Sequence, residues 1–208
     1  MSRAKPAPRA QTRQRRRGRP ILPVDQQRRR LLDAARVVLQ QRGFGNVRVT
    51  DVVRAAGMSS RSFYDYFDTK EDLLLELIHE AGRTLLTDFE QIFASAADPP
   101  ELIKRAVAAY LAAFAGTPLD LEKLGESASK PVQRQLRDIV RKVGVVVARE
   151  LERQHALGTM TRRADPVELE ILLLGLLGLA SSYVADGRRE ELASLQPNIV
   201  RFLLRVWS

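Results

Sequence analysis

Residues 59–74, SSRSFYDYFDTKEDLL, place four aromatic rings, an arginine, several hydroxyls and a lysine in one short stretch. If Ser60 to Phe67 form a single helix, Phe63 and Phe67 share one face, Arg61, Ser62 and Asp65 share the opposite one, and Tyr64 and Tyr66 lie on the flanks. Two aromatics would then anchor the helix and two would edge it. The face between the tyrosines is small and polar enough for a DNA major groove, where a guanidinium donates to guanine and a serine hydroxyl reaches several base edges. Asp65 either accepts from a cytosine amino group or pairs with Arg61 one turn earlier. Ser59 is placed to cap the first turn. Lys70 falls in the first turn of the following helix, where the helix N-terminus and an ammonium both favour a phosphate. Taken alone, Tyr64 and Tyr66 equally fit the edge of any amphipathic surface.

Such a helix needs a partner to hold it, and VTDVVRAAGMSS supplies one. Val49–Ala56 reads as a short helix with Val52, Val53 and Ala56 facing inward and Gly57 at the turn, so that two short helices form a helix-turn-helix. Around this unit the punctuation is helical. Asp25 is expected to open a helix that Gly43 closes, and Thr69 with Asp72 forms a capping box for a helix through about Ala94. Asp98-Pro99 and Asp165-Pro166 start two more, with proline where no amide hydrogen is needed. Gly116, Gly158 and Gly187 are placed to end helices. No segment sustains strand alternation. The expected fold is all-α, with an N-terminal helix-turn-helix followed by a larger helical bundle.

The order and spacing of these residues, from LLDAARVVLQQRGF through VRVTDVVRAAGMSSRSFYDYFDTKEDLL, or about residues 31–75, resemble the TetR family of bacterial transcriptional regulators. The resemblance implies that Tyr64 and Lys70 contact phosphates, that Tyr66 takes the place of the usual histidine of the recognition helix, and that Thr50 lies near a backbone contact. With the groove-facing residues, the candidate DNA-contacting set is Thr50, Ser59, Ser60, Arg61, Ser62, Tyr64, Asp65, Tyr66 and Lys70. It further implies a homodimeric regulator, a repressor released from a palindromic double-stranded operator by a small hydrophobic effector. Residues 25–75 would bind DNA, and residues 76–208 would bind the ligand and dimerise. Two positions depart from the family pattern. Arg48 stands where a serine or threonine cap is common, and Val53 replaces a small alanine, which implies an adjusted helix packing.

The formal charge is +9. Arg3, Lys5, Arg9, Arg13, Arg15, Arg16, Arg17 and Arg19 precede the first acid, Asp25, so the rest of the chain is close to neutral. Residues 1–24 hold little apolar periodicity and read as a disordered basic tail. Its prolines and lack of an apolar segment fit neither a secretion signal nor a transit helix. Within RRRGRP, Arg17 and Arg19 flank Gly18 as in an AT-hook core that enters a narrow minor groove. A solvated cationic tail that raises non-specific affinity by counterion release fits equally.

Beyond residue 100 the apolar content exceeds what one helix face needs. From Pro131 to Leu157, Val132, Leu136, Ile139, Val140, Val143, Val147 and Leu151 recur at helical spacing, and Val145 and Val146 make the middle apolar all round, so this helix is expected to be central. Arg134, Arg137, Arg141 and Arg149 read as its solvated faces. Ile171–Ala185 is shorter than a membrane span and flanked by Glu168, Glu170 and Asp186, so it reads as a buried helix and no membrane partner is expected. Its small residues Gly175, Gly178, Ala180 and Ser181 let another backbone approach. Together with PNIVRFLLRVWS it is expected to build an intersubunit four-helix bundle, as the resemblance implies. Tyr110, Phe114, Val143, Val147 and Leu177 are the candidate ligand-pocket lining, each of them equally at home in a plain core, and an apolar lining suits an aromatic or acyl effector.

The chain has no cysteine, which removes disulfides, thiolate metal sites and cysteine nucleophiles and fits a reducing cytoplasm. Its two histidines, His79 and His155, lack acid and nucleophile partners in motif order, and no glycine-rich phosphate loop is present. Neither an enzyme nor a cofactor is expected. The alternative to a ligand-responsive regulator is a DNA-architectural protein without an effector, which a filled C-terminal core would favour.

Overall fold

The computed structural model describes residues 23–95, 97–116, 129–163 and 165–207, and the regular structure among these residues is entirely helical. The expectations for Arg17, Arg19 and the rest of the basic tail fall outside them. The first helix, α1, spans Val24–Arg42. Pro23, not Asp25, stands at its N-cap, and the Pro23 carbonyl accepts from the Gln27 amide at 3.0 Å. Asp25 lies inside the first turn, where a carboxylate favours the positive end of the helix dipole without capping it. Gly43 ends α1 at φ 70°, donating its amide to the Leu39 carbonyl at 2.8 Å.

After a short 3₁₀ turn at Phe44–Asn46 comes α2, Val49–Ala56. The Arg48 side chain accepts no capping hydrogen bond there. Instead the Asp51 carboxylate reaches back to the Arg48 amide at 3.1 Å, and it also takes the Arg42 guanidinium at 3.1 Å. The acid at the third helical position thus supplies only the returning half of a capping box, while the Asp51 amide donates to the Arg48 carbonyl at 2.9 Å. Gly57 closes α2 in the left-handed conformation, and the Met58 amide returns to the Val53 carbonyl at 2.8 Å.

The next helix, α3, covers only Ser60–Tyr64, shorter than the expected Ser60–Phe67. Thr69 must be extended to cap the following helix, so the chain leaves helical geometry early. The Phe63 carbonyl holds the turn, accepting from the amides of both Tyr66 and Phe67 at 3.0 Å. Helix α4, Lys70–Phe93, starts with the expected capping box: the Thr69 hydroxyl accepts from the Asp72 amide at 3.1 Å, and the Asp72 carboxylate accepts from the Thr69 amide at 2.9 Å. Then follow α5, Pro99–Gly116, α6, Lys130–Ala156, and α7, Pro166–Ala185. A 3₁₀ segment, Arg189–Leu195, leads into α8, Gln196–Trp207. Asp98 caps α5 through the Glu101 amide at 2.9 Å, and Asp165 caps α7 through the Val167 amide at 2.8 Å.

Two hydrophobic cores result. One gathers α1, α2, α3 and the first half of α4 around Phe63, which is fully buried. The other packs the second half of α4 with α5, α6, α7 and α8. α6 belongs to both. Val132 is buried in the first core, with Leu136 and Ile139 packed against it, while Val143 and Leu151 are buried in the second.

Two expectations about the second core need correction. α6 is not apolar-buried all round, because Val145 is 65% exposed. α7 is not a buried helix either: Leu169, Leu173, Ala180, Ser181 and Val184 face the core, but Val167, Ile171, Leu174 and Leu179 are exposed. By length and composition alone α7 is apolar enough to cross a membrane. Its Asp165 cap and its five inward residues place it in the bundle instead.

Candidate nucleic-acid interface and apolar cavities

α3 presents the mix of residues that a groove-reading helix needs. Phe63 and Phe67 anchor it, their ring centroids 5.6 Å apart, and Val52, Val53 and Ala56 of α2 lie in the same core. Val53 is accommodated, 7% exposed, with no break in α2. On the outer side Ser59, Ser60, Arg61, Tyr64 and Asp65 are all exposed, as is Thr50 on α2, while Ser62 and Tyr66 are half-buried. Tyr64 stands 57% exposed with its ring edge-on to Phe63, so the core fixes the base of the side chain and leaves its hydroxyl in solvent.

Not all of these groups are free to act. The Ser59 hydroxyl caps α3 by accepting from the Ser62 amide at 3.1 Å, and the two serine hydroxyls share a hydrogen bond at 2.9 Å. Both are thereby committed in part to holding the helix. Tyr66 packs against the first core, which sets it back from the outer edge. The pairing of Asp65 with Arg61 is not formed, and Arg61 has no ionic partner among the described residues.

Lys70 also makes contacts within the protein. Its ammonium donates to the carbonyls of Phe44 and Val47, each at 3.3 Å, and sits 4.5 Å from the centroid of the Phe44 ring. Lysine carries three donors, so one N–H remains after the two carbonyls are satisfied. The side chain is a clasp that ties the start of α4 to the loop between α1 and α2, and only its third donor is available to a phosphate. Sequence spacing places Lys70 in a helix's first turn but does not reveal that the loop folds back onto it.

Two further cations were not singled out from sequence as DNA contacts. Arg48 and Arg54 are exposed at the start and end of α2, outside the ion pairs that engage Arg28 with Glu76, Arg36 with Asp33 and Glu80, and Arg42 with Asp51. Arg54 lies four residues after Thr50, hence on the same helical face, and that spacing was the available signal.

Between α4, α5, α6 and α7 lies a narrow apolar cavity of about 90 Å³. Four of the five expected lining residues, Tyr110, Phe114, Val143 and Leu177, meet there. Val147 does not, and lines a neighbouring cavity of about 80 Å³ between α4, α5, α6, α7 and α8. Tyr110 and Leu173 line both and form the partition between them. Ile78, Leu136 and Ile139 are cavity wall on one side and packing for the helix-turn-helix core on the other. Gly82 is also in this wall, and a Cβ there would come within 2.7 Å of Ile139 Cδ1, so α4 and α6 approach closely only because the residue is glycine.

The lining is apolar with a few polar exceptions. The Tyr110 hydroxyl is buried without a partner among the described residues, and desolvation raises its pKa well above the ordinary phenol value, so it stays protonated as a donor. The Trp207 indole N–H, in the second cavity's wall, is likewise buried without an acceptor. A buried polar group left in this state costs about 1–3 kcal/mol. The Glu150 carboxylate, also in that wall, is satisfied: Arg153 donates to both of its oxygens at 2.7 and 2.8 Å, and Gln154 donates at 2.7 Å.

Comparison with known proteins bears on this arrangement. The family profile described as "Bacterial regulatory proteins, tetR family" matches residues 31–77, the stretch that builds α2, α3 and the clasp. Over 139 residues the chain is 30% identical to the HTH-type transcriptional regulator BetI of Brucella melitensis biotype 2, covering 66% of this chain and 69% of that one. Over 183 residues it is 28% identical to the uncharacterized HTH-type transcriptional regulator YdgC of Bacillus subtilis, covering 85% and 90%. Among solved structures, the transcriptional regulator FadR from Bacillus subtilis, in complex with stearoyl-CoA, superposes with a TM-score of 0.70 at 18% identity, covering 84% of this chain and 96% of that one.

Proposed function

This chain belongs to the TetR family of bacterial transcriptional regulators, and from that premise we propose that it is a homodimeric repressor, released from a palindromic operator by a small apolar effector bound between α4, α5, α6 and α7. Residues 25–75 are the DNA-binding unit and residues 76–208 the ligand-binding and dimerisation unit. Arg61 reads a base edge, and Tyr64, Thr50 and the third donor of Lys70 take phosphates. Ser59, Ser60 and Ser62 shape and present the helix start, with Asp65 and Tyr66 at its far end. The basic tail, with Arg17 and Arg19, adds affinity for the duplex. The site of action is the cytoplasm.

One observation carries the ligand response: Ile78, Leu136 and Ile139 serve both as wall of the first cavity and as packing for the helix-turn-helix core. A molecule that enlarges the cavity must push on residues that set the position of α3. It shifts the equilibrium only by binding the DNA-incompetent arrangement more tightly, since equal affinity for both states moves nothing. The acyl ligand of the FadR structure supports the choice of an apolar effector in this fold.

Dimerisation has its own support. Val167, Ile171 and Leu174 form an exposed apolar stripe on α7, Phe202 is 56% exposed on α8, and a Cβ at Gly175 or Gly178 would meet nothing within 4 Å. Small residues on an open helix face serve no packing purpose within one protomer. They fit a second copy approaching closely, and a two-fold dimer would set its recognition helices about 34–36 Å apart, or a multiple of that, along the DNA.

Capture of genomic fragments at roughly physiological salt tests the proposal. A few palindromic fragments should be recovered, retained after deletion of residues 1–22. Arg61→Ala should relax preference at one base position, whereas Tyr64→Phe weakens all sequences alike. Indiscriminate recovery of A·T-rich DNA that is lost with the tail would overturn the reading in favour of an architectural protein.

A further inference from the structure

The two cavities say something about the effector's chemistry, on the reading that an apolar molecule binds there. The second cavity is lined almost wholly by hydrocarbon, yet its wall holds two N–H or O–H donors without acceptors, the Tyr110 hydroxyl and the Trp207 indole N–H. Tyr110 also lines the first cavity. Both residues are at least nine-tenths buried. Among the described residues no lysine, arginine or histidine lines either cavity, and the one ionisable acid there, Glu150, already takes its donors from Arg153 and Gln154.

We propose that the site selects a neutral apolar molecule carrying a carbonyl-type acceptor, such as a ketone, ester or lactone, whose oxygen accepts from the Tyr110 hydroxyl, the donor that lines both cavities. An acceptor is specified because the unsatisfied groups are both donors. Neutrality is specified because a ligand carboxylate would be desolvated with no unpaired cation among the described wall residues to offset it, Arg153 being already engaged by Glu150. A plain hydrocarbon would fill the space but leave both donors unsatisfied.

Trp207 is the chain's single tryptophan, so its fluorescence reports on occupancy directly. The full chain is titrated with octan-2-one and with octanoate at neutral pH, following Trp207 emission and the ligand-induced shift in Tm, for the wild type and for Tyr110→Phe. Octan-2-one should give a saturable change and octanoate a much weaker one. Tyr110→Phe, which removes an unpartnered hydroxyl, should melt at or above the wild-type temperature without ligand and bind the ketone about five- to tenfold more weakly. A purely structural tyrosine would not reverse sign in this way. Equal binding of octanoate would overturn the neutrality, and an unchanged ketone affinity in Tyr110→Phe would overturn the hydrogen bond. If neither compound binds, both this inference and the hydrophobic-effector reading fall. If the ketone binds as described but leaves DNA affinity unchanged, only the effector reading falls.

Discussion

At the scale of single residues, Lys70 shows how one side chain comes to hold two roles. Its ammonium satisfies two loop carbonyls and lies over the Phe44 ring, so removing it loosens the junction of α1, α2 and α4 as well as any phosphate contact. Lys70→Ala is therefore expected to lower stability by about 1–2 kcal/mol in chemical denaturation, as lost hydrogen bonds to a charged group and a cation–π contact suggest, and to weaken DNA of every sequence. Arg61→Ala should leave stability unchanged within about 0.5 kcal/mol. The buried aromatics Phe63 and Phe67 were legible in the sequence because spacing alone puts them on one face. The Lys70 clasp was not, since it depends on where residues 44–47 return in space. The orphaned donors were likewise out of reach: nothing local to Tyr110 or Trp207 says that the other lines the same cavity.

Among the elements, α2 matched its expected bounds because Gly57 and the Asp51 carboxylate fix both ends locally. α3 did not, because its end is set by the extended conformation that Thr69 needs to cap α4, a demand from the next element rather than from its own sequence. The amphipathic pattern of α6 foretold burial but not that half of the helix would serve one core and half the other. The α4–α6 crossing yields a direct test. At Gly82 a methyl group must displace Ile139, an overpacking worth about 1–3 kcal/mol that the better helix propensity of alanine offsets by about 1 kcal/mol. Gly82→Ala should thus cost up to about 2 kcal/mol, shrink the first cavity and weaken effector binding. Adding Ile139→Val should recover part of the loss, a coupling that a double-mutant cycle measures.

For the whole molecule, the open face of α7 and α8 decides the state in solution. Ile171 is 66% exposed in the middle of the α7 stripe, so Ile171→Glu adds charge without disturbing the protomer's core. The expected outcome in sedimentation is conversion of a dimer to a monomer that keeps its helical content and loses affinity for a two-half-site operator far more than for a single half-site. A wild type that sediments as a monomer would remove the dimer from the proposal. All-α architecture was legible from caps and periodicity, but which apolar face lies open was not, because periodicity marks a face as apolar without saying what covers it.

Val132 carries a consequence for how such proteins diversify. It comes from the first turn of α6, yet it is buried to 1% exposure among residues of α1 to α4. A chain severed after α4 would leave that socket open and its apolar rim wet. The reading head is therefore not a cassette that can be clipped off at the end of α4 and grafted elsewhere. Recombination that exchanges reading heads between related genes must bring along a matching plug from the far side of the chain, so ancestry on the two sides of that junction should be tied together at position 132.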